Sequence, residues 1–378
     1  MNQSVILRLT DLSVNTKKLK HASIKNINFD ILRKVSSILI RFFIKLETYK
    51  FFETGSLEYI CLISTRYALW NLNHPNTNQE LNHTKVYILS LWLSMVWLID
   101  GIFDKNPGID KKYKYYIINI VRNLGLSPRS PGIQEENREI THARVISDGI
   151  NINTKGINIG SLSKSLLKDV EYIYSIYINE IEYYREKSPE AFTQIEYWFD
   201  RYLKTLCEST QDFNLSNYKK FRLDSGAIMC VIWHNILFDN VKNLNQESIN
   251  FYKEVATTIS YHNDILSFNR DLEQKTPNII SILAKDINFK EIKSWNIFEY
   301  GIHLVNSYYK QLVSKINELD KYTINNALTI LEGSYNWTNS ETRYSIGLKM
   351  LKHSLNGNLK HHYNIIMNHN EVTLGDPK

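Results

Sequence analysis

Two groups of oxygen-bearing side chains in this sequence have the spacing to hold a hard cation. The first lies in Trp97-Leu98-Ile99-Asp100-Gly101-Ile102-Phe103-Asp104. Asp100 and Asp104 are one helical turn apart, so on an α-helix both carboxylates share a face. Like charges so placed repel unless a cation sits between them. A hard divalent ion such as Mg²⁺ takes carboxylate oxygens and keeps positions open for water or phosphate. Taken alone, the pair is more readily a solvated helix end beside Lys105, since helix-end aspartates are common. The apolar run before it, Val86 to Ile99, argues instead for a buried helix whose carboxylates emerge at the mouth of an enclosed space. The second group lies in Tyr261-His262-Asn263-Asp264-Ile265-Leu266-Ser267-Phe268-Asn269-Arg270-Asp271. Asn263, Ser267 and Asp271 recur at i, i+4 and i+8, and successive members drift by only about 40° around a helix. An amide oxygen, a hydroxyl and one carboxylate can therefore converge on one ion, as a hard, low-charge site suited to Mg²⁺. Softer metals prefer His or Cys, and neither is spaced to help. A polar stripe on an amphipathic helix explains any such triplet in isolation; the presence of both groups favours the ion.

Groups suited to an anion accompany them. Arg270 adjoins Asp271 and can hold a phosphate that the metal also touches. Arg222 precedes Ser225 and Gly226 inside a helical pattern, where a Gly costs about 1 kcal/mol relative to Ala and so predicts a local break or a close ligand approach. Arg343-Tyr344 offers a planar fork of donors and a hydroxyl. For each of these alone, a surface ion pair or an ordinary aromatic contact is the readier explanation. A cation in an apolar cavity would be held by aromatic faces. Trp70, Trp92, Trp97, Phe103, Trp233 and Trp337 are candidates, most of them plain core.

The elements that must position these groups are helices. Periodicity predicts them at 57–71, 86–105, 111–124, 164–186, 190–210, 216–240, 246–275, 276–286, 296–318, 321–332 and 341–355. Only 14 Gly and 7 Pro in 378 residues argue against many-turned β architectures, and 43% hydrophobic with 22% charged residues excludes general disorder. No strand-rich block appears. Residues 1–50 read as a basic N-terminal extension with a first helix near Ile31–Phe43, residues 51–367 as one large helical domain, and residues 368–378 as a frayed polar tail. Within the domain, 127–163 reads as a long loop or insertion, opened by Ser-Pro-Arg-Ser-Pro-Gly and poor in large apolar residues. The fold class is therefore all-α, a single large bundle with room for a central apolar cavity. A net charge of +6 is too small to point to nucleic acid. Cys61, Cys207 and Cys230 form no CxxC pair and read as reduced thiols of a cytoplasmic protein. The apolar run at 86–99 falls short of the roughly 20 residues of a spanning helix, and the N-terminal run broken by Arg8 is short of a signal-peptide core.

Taken in order, these residues resemble the class I terpene synthases (terpene cyclases) of the microbial, single-domain type, over roughly 57–350. Asp100 and Asp104 match the first and last acids of that family's aspartate-rich motif. Asn263, Ser267 and Asp271 match its metal triad, (N/D)DxxSxxxE, with Asp264 as the inner acid and Arg270 where Lys or Arg is common. Arg222, Ser225 and Gly226 resemble its diphosphate sensor, linker and effector positions, and Arg343-Tyr344 its C-terminal Arg-Tyr pair. Glu208 and Asn278 also stand where the pattern has Glu and Asn. The resemblance implies three Mg²⁺ ions, held by Asp100, with Asp104 in a secondary role, and by the triad. It implies diphosphate binding by Arg222, Arg270, Arg343 and Tyr344. The substrate would be farnesyl or geranylgeranyl diphosphate, cyclised to a sesquiterpene or diterpene in a cavity carrying Trp97, Phe103, Trp233 and Trp337. Homodimers are frequent in that family. Two departures stand out: Gly101 replaces the second acid of the first motif, and Asp271, one methylene shorter, replaces Glu.

Three other readings compete. A chain-elongating prenyl diphosphate synthase has a second run of aspartates where this chain has Asn, Ser and Asp. A di-iron bundle needs two Glu-x-x-His pairs, and only Glu139 to His142 has that spacing, in the loop-like segment. The third is a catalytically lapsed helical relative that acts as a binding protein.

Overall fold

Asn28 opens the first helix, α1 (Phe29–Phe43): its side-chain oxygen accepts the Ile31 amide at 3.1 Å, satisfying one of the free N–H groups with which any helix begins. Ile31, Val35, Leu39 and Phe43 follow every fourth residue and are buried, while Ile38 is exposed, so one apolar stripe holds the helix in place. The computed structural model describes residues 28–51, 56–72, 82–105, 153–154, 157–206, 213–273, 276–286, 297–341, 344, 347–350, 365–368 and 371–374. The helix expected at 111–124 and most of those expected at 127–163 as loop and 341–355 as helix lie outside the described residues. The chain divides into two compact units, one of residues 33–65 and 87–183, the other of residues 1–32, 66–86 and 184–378.

The first unit takes most of α1, the start of α2 (Ser56–Leu72), most of α3 (His83–Lys105) and most of α4 (Ile159–Lys187). On α3, Val86, Ile88, Leu89, Leu91, Trp92, Met95, Leu98 and Ile99 are all buried, as expected of a helix that is apolar on every side. No helix among the described residues is long and apolar enough to cross a membrane. Asp169 of α4, itself buried, accepts the Glu47 and Thr48 amides at 2.9 and 2.6 Å and so caps a 3-10 turn, Glu47–Phe51. Before α4, β1 (Asn153–Thr154) and β2 (Ile157–Asn158) pair antiparallel. The pattern predicts loop to 163, but α4 begins at Ile159; the Ile–Asn alternation is too brief to register as periodicity.

In the second unit α5 (Pro189–Thr205) begins with Pro at its first turn, where the missing N–H costs no hydrogen bond. α6 (Leu215–Ser225) opens on a reciprocal capping box between Asn214 and Asn217. One helix is expected over 216–240. Instead α6 stops at Gly226, Ala227 takes a left-handed φ of 55°, and α7 (Ile228–Phe238) restarts with every residue buried. α7 packs on α5, on α8 (Gln246–Glu273) and on α11 (Lys321–Ser340). α8 also packs on α6, α9 (Ile279–Asp286) and α10 (Ile297–Lys315), which makes it the hub of this unit. α11 starts at the Asp320 cap, whose carboxylate accepts the Thr323 amide at 2.9 Å.

The C-terminal tail is not simply frayed. β3 (Ile365–Asn368) and β4 (Glu371–Leu374) pair antiparallel, with Ile365 opposite Leu374, and β4 lies beside α8 and α9. Val372 and Leu374 do alternate with polar residues, but over too few positions to read as a strand.

Candidate active site

α8 carries the second oxygen group. Its partners leave the Asn263 oxygen and the Ser267 lone pairs open, while both Asp271 oxygens already accept hydrogen bonds. The Asn263 Nδ2 group donates to the Tyr344 hydroxyl at 2.6 Å, and among the described residues nothing donates to Asn263 Oδ1. Ser267 Oγ donates to Asp271 Oδ2 at 2.5 Å, which turns the serine proton away and leaves its lone pairs. The same Oδ2 accepts Asn278 Nδ2 at 2.8 Å, while Oδ1 accepts Arg270 through Nε at 3.2 Å and Nη2 at 2.9 Å. Ser267 and Asp271 are buried; Asn263 and Arg270 are half-buried. Among the described residues no three His, Cys, Asp or Glu side chains cluster as a metal site.

Asp264, the inner acid, points into a separate network. Its Oδ1 pairs with Arg222 Nη2 at 2.7 Å, and its Oδ2 accepts the Tyr218 hydroxyl at 2.6 Å and the Ile279 amide at 3.2 Å. Burial raises the Asp264 carboxyl above the ordinary range, and Arg222, Tyr218 and the Ile279 amide pull the other way. Burial likewise opposes the charge on Arg222, but Asp264, followed by Tyr218 and Asp271, outweighs it and holds the guanidinium above its usual range. Arg222 also donates to Ser225 Oγ at 3.1 Å and to the Ser260 carbonyl at 3.2 Å, while its Nε is buried without a partner.

Gly226 sits where α6 crosses α8. A Cβ there would strike Ser260 Oγ and come within 3.1 Å of the Arg222 carbonyl, so a larger residue would have to turn the Ser260 hydroxyl aside. Asn278 ties the start of α9 to this helix, donating to the Asp264 carbonyl at 2.8 Å as well as to Asp271. From the C-terminal side Tyr344, fully buried, reaches Asn263 and meets Trp337 edge-on at 5.6 Å. The structure thus brings together Arg222, Ser225, Gly226, Asn263, Ser267, Arg270, Asp271, Asn278, Trp337 and Tyr344 on α6, α8, α9, α11 and the segment after α11.

Sequence reasoning missed Tyr218, the hydroxyl that completes the Asp264 network. The signal was available: Tyr218 precedes Arg222 by one helical turn and so shares its face. Trp233 is buried on α7. In the other unit, Asp100 and Trp97 are half-buried near the end of α3. The Asp104 and Phe103 side chains, and Glu208 and Arg343, lie outside the described residues.

No family model matches the chain, and no curated protein matches it by sequence. Solved structures do. It is similar to 2-methylisoborneol synthase from Streptomyces coelicolor A3(2), with a TM-score of 0.56 and 9% identity over 84% of this chain and 91% of that one. It is also similar to a linalool/nerolidol synthase from Streptomyces clavuligerus in complex with 2-fluorogeranyl diphosphate, with a TM-score of 0.51 and 11% identity over 83% and 95%. An α-eudesmol synthase gives 0.50 and 14% over 84% and 94%. At such identities the likeness speaks to architecture, and on that ground the chain has the all-α fold of the class I terpene synthases.

Proposed function

We propose that this chain is a terpene cyclase that binds a linear isoprenoid diphosphate with Mg²⁺, releases diphosphate and cyclises the resulting cation. The observation that carries the reading is the oxygen triad on α8, with the Asn263 oxygen and the Ser267 lone pairs left open, Tyr344 bonded to Asn263 and Arg222 bonded to the adjacent Asp264. Asn263, Ser267 and Asp271 would hold one Mg²⁺, and Asp100, with Asp104 in a secondary role, the other two. Bound Mg²⁺ supplies positive charge that stabilises the departing diphosphate.

The remaining chemistry falls to the chain's own groups. Arg222, Arg270, Arg343 and Tyr344 donate hydrogen bonds to the leaving diphosphate, whose charge they match. Ser225 and Gly226, at the break after α6, follow any shift of Arg222, since Ser225 Oγ is bonded to its guanidinium. Trp97, Phe103, Trp233 and Trp337 are the aromatic faces proposed to hold the allylic cation in an apolar cavity and to keep water from quenching it. The substrate class is farnesyl or geranylgeranyl diphosphate and the product a sesquiterpene or diterpene. A cytoplasmic homodimer is the expected setting.

The test is direct. Purified protein is incubated with Mg²⁺ and C10, C15 or C20 isoprenoid diphosphates, and extracts are analysed by gas chromatography and mass spectrometry. Cyclic hydrocarbons or alcohols are the expected products. Longer diphosphates would make the chain an elongating synthase. Absence of turnover with every substrate would leave a binding protein and overturn the proposal.

A further inference from the structure

Arg66 of α2 and Glu341, just past α11, are 275 positions apart and form a short ion pair, Arg66 Nη1 to Glu341 Oε1 at 2.5 Å. The Glu341 side chain is 1% exposed. A buried carboxylate without a partner is strongly unfavourable, so the pairing fixes where Glu341 sits. Glu341 in turn fixes the chain that follows. Its amide donates to the Trp337 carbonyl at 3.1 Å, closing α11, and its own carbonyl accepts the Tyr344 amide at 3.1 Å. The next residue of α2 adds a second hold on the same stretch. Tyr67 shares a hydrogen bond with Ser334 Oγ at 3.0 Å and meets Trp337 edge-on at 5.0 Å, and Trp337 meets Tyr344.

The place so braced is the Tyr344 hydroxyl, which accepts the Asn263 amide at 2.6 Å. An asparagine amide rotated end for end would present N–H to a cation, which repels it; with the Tyr344 proton given to the diphosphate, as proposed above, its hydroxyl oxygen can only accept, and the bond selects the rotamer that leaves the Asn263 oxygen free. We propose that Arg66 and Glu341 are positioning residues for the α8 cation site, acting through Tyr344 to hold the Asn263 amide with its oxygen toward the ion. The inference rests on the reading of Asn263, Ser267 and Asp271 as metal ligands.

The experiment titrates the full chain with Mn²⁺ in the presence of inorganic pyrophosphate, follows free Mn²⁺ by electron paramagnetic resonance, and records thermal unfolding of each variant alongside. Tyr344→Phe and Glu341→Gln are each expected to weaken Mn²⁺ binding by about tenfold, as loss of a group that orients a metal ligand typically does. The double variant is expected to be no weaker than either single one, because both act through one bond. Arg66→Lys is expected to retain most of the affinity that Arg66→Met loses, and this pair carries the same comparison should Glu341→Gln fail to fold. A brace serving stability alone would lower the unfolding temperature and leave the Mn²⁺ affinity of the folded protein unchanged. Wild-type affinity in both Glu341→Gln and Arg66→Met, or additive losses in the double variant, would overturn the proposal while the metal site stands. Wild-type protein that takes up no Mn²⁺ beyond that held by pyrophosphate would overturn both together.

Discussion

Asn263 and Asp264 are neighbours in sequence with opposite duties: one keeps an oxygen available at Tyr344's side, the other is consumed by Arg222, Tyr218 and the Ile279 amide. Because Arg222 is the only cation paired with Asp264 among the described residues, its removal strands a buried carboxylate. Arg222→Met is expected to destabilise the protein by about 3 to 5 kcal/mol, the usual consequence of breaking a buried pair from one side. Adding Asp264→Asn should recover most of that loss, since an amide oxygen still accepts from Tyr218 and carries no charge. Urea titrations of the wild type, the single variants and the double variant measure both quantities; independent, additive losses would show that the two side chains are not coupled. Asn263→Ala and Asp100→Ala are expected to abolish turnover and leave the unfolding midpoint close to wild type. Full activity in either would remove that residue from the catalytic site. The triplet Asn263, Ser267 and Asp271 was legible from sequence because helical spacing alone fixes which residues share a face. The Arg222–Asp264 pair was not, because a pairing across two helices leaves no mark in the spacing of either.

At the scale of elements, the segment after α11 is pressed on α8 at one point. A Cβ on Gly347 would strike the Leu266 carbonyl, a backbone group that cannot swing aside, and Leu266 directly precedes Ser267. Gly347→Ala therefore has to move the segment that carries Tyr344 away from the helix that carries Asn263. Overpacking of this kind costs about 1 to 3 kcal/mol, and turnover is expected to fall more steeply than stability. Melting curves and product formation on the same preparation test the point; an alanine variant with unchanged turnover would show that the segment tolerates the displacement. A break was one of two readings of Gly226, because glycine is unfavourable in a helix interior, although the periodicity ran a single helix through 216–240. The close approach of Gly347 was hidden, since nothing near it in sequence reports what lies 81 positions away, as Tyr344 does from Asn263. The same holds for Arg66 and Glu341: two ordinary surface-type residues become a pair, with Glu341 buried and Arg66 half-buried, only through the packing of α2 on the end of α11.

Across the whole molecule, the all-α architecture was readable because long stretches without Gly or Pro leave few alternatives to helices, whereas the β3–β4 ribbon is too short to carry a periodic signal. Burial on that scale also makes stability depend on pH. His234, on the wholly buried helix α7, is 0% exposed; its Nδ1 lies 2.7 Å from the Cys230 carbonyl and its ring packs on Phe238. Burial pushes its pKa down from 6.5 to about 4, only partly offset by the Cys230 carbonyl. Between those values the unfolded chain binds a proton that the folded chain refuses. The His234 contribution to stability is therefore greatest above pH 6.5 and falls as the pH drops through this window, by up to about 1.4 kcal/mol per pH unit. Below about pH 4 both states are protonated and this contribution to the slope ends. His234→Gln keeps a donor for the Cys230 carbonyl and removes the titration. Its urea midpoint should decline less steeply than that of the wild type between pH 6.5 and 4, with the two curves running parallel above pH 7. Equal slopes through the acidic window would mean that His234 gains a proton in the folded state as readily as in the unfolded one, and that α7 is less completely sealed from solvent than its packing implies.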